Sequence, residues 1–140
     1  MNEKAKKAVE LHNNGYNCAQ AVTCTFAEEL GREEKTVYEM MEGFGFGMGS
    51  SKVCGTVSAM AAISGMVNSE GTPGPDSIKK NSYRGSKSMI KKFEEKNGTI
   101  ICRELKGVDT GKLIRDCDGC VEDAATIVDE YLDRFVRNKE

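Results

Sequence analysis

Gly43-Phe44-Gly45-Phe46-Gly47-Met48-Gly49-Ser50-Ser51-Lys52-Val53-Cys54-Gly55-Thr56-Val57-Ser58-Ala59 is the stretch around which this chain is organised. Glycines alternate with large apolar side chains, and the run then passes into a helix of small residues with a cysteine at its start. Alternate glycines remove Cβ atoms, so the backbone can take positive φ and come close to a neighbour. Ser50 or Ser51 is expected to cap the helix, which runs to about residue 67. Gly55, Ser58, Ala59, Ala62 and Gly65 fall along one side of it, with Val53, Val57, Met60 and Ile63 elsewhere. A stripe of small residues lets two helices approach closely, so this helix is expected at the centre of the fold.

Outward from that centre the apolar spacing is helical almost throughout, and no strand pattern stands out. Residues 3–13 place Ala5, Ala8, Val9 and His12 on one face, with Gly15 as a stop. Asn17 is a good N-cap for the next helix, and Gln20 can reach back in a capping box. Ala21, Val22, Thr25, Phe26 and Leu30 follow at helical spacing until Gly31. A third helix spans 33–42, with Val37, Met40, Met41 and then Phe44 in register.

Beyond the central helix, Asn68 to Pro75 reads as a turn region inside one domain. A long helix over 76–97 has Tyr83, Ser86, Ile90 and Phe93 inward and ends at Asn97-Gly98. Its basic stripe, Lys80, Arg84, Lys87 and Lys91, reads as a solvated face. Thr99 precedes a short helix at Cys102, and a last helix runs from near Cys117 to about 137. Val121, Ala124, Ala125, Val128, Leu132 and Phe135 form its apolar face. The expected fold is all-α: a compact bundle of about five to seven helices, one domain over 1–140, with a Gly-rich loop before the central helix.

Composition agrees with a globular protein and narrows the function. A chain of 140 residues buries about 68% of its extended surface, enough for a core without staples. A net charge of −2 argues against a general nucleic-acid binder. No apolar run is long enough to span a bilayer, and the polar start, Asn2-Glu3-Lys4, shows no signal core. A cytoplasmic location is therefore expected, with no membrane partner.

The six cysteines, at 18, 24, 54, 102, 117 and 120, carry more information. In a reducing compartment, clustered thiols lean towards metal binding or redox chemistry rather than structural disulfides. Cys18, Cys54, Cys102 and Cys117 all fall at expected helix starts, where partial positive charge favours a thiolate. Cys24 lies about 120° round its helix from Cys18 and is expected in the core. Cys117-Asp118-Gly119-Cys120 is a C-x-x-C, but the βαβ setting of a thioredoxin is missing. A zinc site lacks a second such pair, and His12, the only histidine, reads as an ordinary helix residue. Iron–sulfur clusters also take four thiolates, and helix starts and glycine loops offer N–H donors to their sulfides. The glycine run has no G-K-[ST] and no preceding strand, which argues against a phosphate loop.

Several of these residues together resemble the C_GCAxxG_C_C family of redox-active proteins. They are Asn17-Cys18-Ala19-Gln20, the run Gly43–Gly49, Val53-Cys54-Gly55, Cys102-Arg103-Glu104-Leu105, and Cys117 followed by Val121, Asp123, Ala124 and Ala125. The resemblance covers nearly the whole chain and preserves the order of its elements. It implies four family cysteines at Cys18, Cys54, Cys102 and Cys117, with Cys24 and Cys120 as extras. The C-G-A-x-x-G motif departs here to Cys54-Gly55-Thr56-Val57-Ser58-Ala59. The resemblance also implies redox activity and, through a related domain fused to a multihaem cytochrome, an iron–sulfur cluster.

The leading expectation is a protein of electron transfer or redox sensing. Cys18, Cys54, Cys102 and Cys117 hold an iron–sulfur cluster, with Gly45, Gly47, Gly49 and Gly55 bringing the backbone close to it. A thiol–disulfide exchange protein using Cys117/Cys120, or Cys18 with Cys54, is the second reading. A non-catalytic helical module with structural zinc is the third. The fourth ligand stays open between Cys117 and Cys120. A redox partner protein is expected, and Met40, Met41, Phe44 and Phe46 offer a homodimer interface if exposed.

Overall fold

The computed structural model describes residues 2–74 and 76–137. Met1, Pro75 and 138–140 lie outside the described residues, so the ends of the expected 1–140 domain and the last position of the expected turn are not described. Among the described residues there are seven α-helices and no strand, as the all-α reading requires.

Local sequence sets the first elements. Asn2 caps α1 (Glu3–Asn13) by accepting from the Ala5 amide at 2.7 Å, and the helix buries Ala5 and Ala8. The capping box expected at α2 (Cys18–Ala27) is present. The Gln20 amide donates to the Asn17 side chain and the Asn17 amide to the Gln20 side chain, each at 2.9 Å. Every residue from Ala19 to Ala27 is buried, because α2 is enclosed by α1, α3 (Glu34–Met41), α4 (Gly55–Asn68) and α7 (Cys117–Leu132). The chain leaves α2 earlier than expected and turns through Gly31 at φ +72°.

The central helix is α4, packed against α2, α7 and the long α5 (Asp76–Asn97). Its buried face differs from the expected stripe. Gly55 and Ala59 are buried, but so are Thr56, Val57, Met60, Ile63 and Ser64, while Ser58, Ala62 and Gly65 are half-buried. Met60 and Ile63 fill core volume that a stripe of small residues would leave empty.

The closest approach to α5 is made possible by Gly85. A Cβ there would meet the Ser64 hydroxyl and sit 2.6 Å from the Tyr131 hydroxyl. That sets the register of α5: Gly85, Met89 and Phe93 face inward at intervals of four. Tyr83 is turned out and is 65% exposed, against expectation. The basic stripe Lys80, Arg84, Lys87 and Lys91 is exposed.

One hydrophobic core, including Phe26, Met60, Phe93 and Leu132, joins the helices. Phe135, expected on the apolar face of the last helix, is exposed; α7 ends at Leu132 and gives way to a wider turn over Asp133–Arg137. No helix among the described residues is long and apolar enough to cross a membrane. The short α6 (Cys102–Leu105) and the start of α7 come to the same end of the molecule as the start of α4.

Candidate functional site

Three of the cysteines open helices: Cys18 starts α2, Cys102 starts α6 and Cys117 starts α7. Asp116 is the cap of α7, its carboxylate accepting from the Gly119 amide at 2.7 Å. Cys54 is itself the N-cap position of α4. Neither Ser50 nor Ser51 caps that helix, because it begins only at Gly55, and the chain before it runs left-handed. Phe46, Gly47, Met48 and Gly49 have φ of 54°, 57°, 60° and 66°, and Ser51 has 58°. For a residue with a Cβ this conformation costs roughly 1–2 kcal/mol.

Several contacts hold the strained run in place. The Lys52 amide donates to the Gly47 carbonyl at 3.1 Å. The Lys106 ammonium lies 4.9 Å from the centre of the Phe46 ring, close enough for a cation–π attraction. Beyond the run, the Cys54 amide donates to the Ile100 carbonyl at 2.8 Å and the Cys102 amide to the Lys52 carbonyl at 2.6 Å, around an antiparallel bridge of Val53 with Ile101.

Three of the four singled-out glycines are packed closely. A Cβ on Gly45 would strike the Asn17 side chain, and one on Gly47 would strike the Lys52 backbone and lie 3.0 Å from Cys102 Cβ. A Cβ on Gly55 would sit 2.6 Å from Cys18 Sγ and 2.7 Å from the Phe44 carbonyl oxygen. Gly49 differs: nothing lies near it, and its glycine serves only the left-handed φ.

Under this loop lies a cavity of about 170 Å³ lined by Cys18, Cys54, Cys102, Cys117 and Cys120. The four cysteines expected to act together therefore share one wall system, and Cys120, set aside as an extra, joins them. Its position was legible, since three residues on from Cys117 is the same helix face. Cys24 is buried elsewhere, its sulfur 3.9 Å from the Glu34 carbonyl.

His12, Lys106 and Arg115 also line the cavity, and sequence reasoning singled out none of them for the site. The His12 imidazole is held by Asp118, with 2.6 Å between Nδ1 and Oδ1. Long-range packing brings in His12 alone; Lys106, four residues on from Cys102, and Arg115, two residues before Cys117, are sequence neighbours of cysteines whose spacing could have placed them.

The thiols do not behave as isolated helix starts. Hydrogen bonding with Cys54, then burial, raises the Cys18 pKa. Hydrogen bonding with Cys120 pushes Cys54 up to about 11, burial adding to it while interactions with Cys18 and Thr56 oppose it. Burial, with the nearby Cys117 and Cys18 thiols, raises Cys102 despite Lys106. The expectation of ready thiolates at these three positions is thus reversed: burial and mutual proximity outweigh the helix ends. Burial opposes the charge of Lys106, yet the surrounding thiols Cys117, Cys102 and Cys18 win and raise its pKa.

This has a consequence for stability. Thiols of the unfolded chain ionise near 9.0, whereas Cys54 and, through burial, Cys24 hold their protons to about 11. Their contribution is complete below the unfolded value and is lost as pH rises towards the folded one. The urea midpoint of the reduced, cofactor-free protein is expected to fall between about pH 9 and pH 11, and to fall less in Cys24→Ala.

Among the described residues no three His, Cys, Asp or Glu side chains converge on a point that could hold a single metal ion. The thiols surround a space instead. Thiolates are ligands for iron–sulfur centres and for zinc alike.

A family model described as "Putative redox-active protein (C_GCAxxG_C_C)" matches residues 16–131. The match spans all five cavity cysteines and leaves out α1 with His12. No curated protein and no solved structure matches the chain.

Proposed function

The chain belongs to the C_GCAxxG_C_C family of redox-active proteins, and from that premise we propose that its thiol cavity holds an iron–sulfur cluster serving electron transfer or redox sensing. The observation that carries this reading is the meeting of thiols from four helix starts around one cavity beneath the left-handed loop. Cys18, Cys54, Cys102 and Cys117 are the ligands, and Cys120 stands beside Cys54. Bound there, the cluster supplies one-electron chemistry.

The chain's own residues shape that chemistry. Lys106 and Arg115 line the cavity and offset negative charge, and Phe46 of the loop forms part of its wall and limits water. Because raised thiol pKa values must be overcome, loading releases protons and is favoured by higher pH. A redox protein exchanges electrons at the exposed loop, where Phe44 and Phe46 are accessible, in a reducing, cytoplasmic compartment. Met41 is buried and takes no part in any interface; a homodimer would use Met40 with the two phenylalanines.

A second reading has its own support in the interactions of Cys54 with both Cys18 and Cys120. In thiol–disulfide exchange, two of these thiols would form a disulfide, passing two electrons and two protons to a disulfide substrate that leaves as two thiols. The raised pKa values weigh against it, since the thiolate is the attacking form.

Iron and acid-labile sulfide measured on anaerobically purified protein test the proposal. Brown protein with both present in proportion is the expected result. Colourless protein that stays so after iron–sulfide reconstitution, or stoichiometric zinc without iron, would overturn it. Reversible loss of two titratable thiols in such protein would favour exchange.

A further inference from the structure

Arg115 lies in an electrostatically awkward place. Its guanidinium rests against the first turn of α7, where Gly119 leaves room: a Cβ at that position would run into Nε and lie 2.6 Å from Cζ. A helix N-terminus carries partial positive charge and disfavours a cation. The position is imposed by Asp123, whose Oδ2 accepts from Arg115 Nε at 3.2 Å and whose Oδ1 accepts from Nη2 at 3.1 Å, while Glu122 Oε1, 3.7 Å from Nη2, is a second and half-exposed counter-charge.

The Asp123 side chain is only 1% exposed. A buried carboxylate is tolerated when its lone pairs are filled, and here Lys96 at 2.5 Å and Asn97 at 3.2 Å complete the set. A carboxylate needed only to join α7 to α5 would be served by Lys96 and Asn97. The additional fork to Arg115, crossing a glycine inside Cys117-Asp118-Gly119-Cys120, brings a charge to the cavity wall.

We propose that Arg115 is a fixed positive charge of the thiol cavity, and that Asp123 is a positioning residue acting on the site through it, with Gly119 as the gap that admits the guanidinium. The charge stabilises whichever cavity species is more negative: thiolates, or the reduced form of a bound centre. This deepens the cluster reading, but its first test needs no cluster.

Reduced, cofactor-free protein is alkylated with anionic iodoacetate and with neutral iodoacetamide, and the rate at the half-exposed Cys117 is followed by mass spectrometry. The rate ratio, iodoacetate over iodoacetamide, is expected to fall roughly three- to tenfold in Arg115→Gln, as loss of one nearby charge implies. Asp123→Asn removes a counter-charge as well as the anchor, so it lowers the ratio only if the guanidinium leaves the wall, and a raised ratio would show that Asp123 does not position it; Arg115→Lys should keep part of the effect. Gly119→Ala displaces the end of a flexible side chain and touches the Asp116 cap, so it tests the placement if the other variants fold poorly.

An unchanged ratio in folded Arg115→Gln or Gly119→Ala would overturn the inference. In cluster-loaded protein the same variants should shift the midpoint to lower potential, and an unmoved midpoint would also count against it. Failure to load a cluster sinks the cluster reading alone, because the alkylation ratio is read without iron.

Discussion

Gly55→Ala will destabilise the protein and deform the thiol site, while Gly65→Ala, the same change in the same helix, will be neutral or stabilising. At Gly55 the new Cβ would sit 2.6 Å from Cys18 Sγ, 2.7 Å from the Phe44 carbonyl and 3.3 Å from Ala19 Cβ. None of these can yield cheaply. Phe44 contributes backbone, Ala19 is buried, and Cys18 is held at the start of α2 by the Asn17–Gln20 box. Overpacking of this kind costs about 1–3 kcal/mol, and relief would come by moving α4 away from Cys18.

At Gly65 no atom lies near the new methyl, and alanine in a helix interior gains about 0.5–1 kcal/mol over glycine. Thermal melts of the two variants should shift in opposite directions. A Gly55→Ala protein that melts like the parent and keeps its cofactor would refute the close approach.

The second large effect concerns which thiols matter. Cys54→Ser should abolish retention of iron, because Cys54 sits between Cys18 and Cys120 and also meets the Thr56 hydroxyl at 3.1 Å. Cys24→Ser should leave the iron content intact while lowering stability by about 1–3 kcal/mol through a hydroxyl placed in the core. Cys120→Ser discriminates further: if iron is lost there and kept in Cys117→Ser, the fourth ligand is Cys120. Iron per chain and the denaturation midpoint, measured on the same samples, separate the two classes of effect. Loss of iron on changing Cys24 alone would show the ligand set to be wrong.

Much of the fold was legible because its punctuation is local. Asn17 with Gln20, and Asn97 followed by Gly98, mark helix ends through bonds and backbone preferences spanning a few residues. The start of α4 differs from expectation for an equally physical reason: a serine caps a helix only when its own backbone is extended, and Ser51 is left-handed at φ 58° while the helix starts at Gly55. Tyr83 was misplaced because the register of α5 is set by Gly85 meeting Ser64 and Tyr131, a contact no periodicity reveals.

The site divides similarly. Its cysteines announce themselves by type and spacing, and Lys106 and Arg115 stand close in sequence to two of them, but His12 reaches the cavity only through tertiary packing of α1. Thiol ionisation was misjudged because a helix end acts on each sulfur singly, whereas burial and neighbouring thiols act on the group.

The short pairing of Val53 with Ile101 also bears on the order of events during folding. It joins segments roughly fifty positions apart, and until it closes, Cys54 and Cys102 are on independent stretches of chain. Contacts of such separation form late, after local helices have appeared. Until then Cys54 and Cys102 do not form a pair, and stray metal or oxidant meets no chelating pair across these two segments. Anything that bridges the two sides afterwards acts as a clasp on the finished protein, so refolding in its absence should recover the helices and leave the site ready to be filled last.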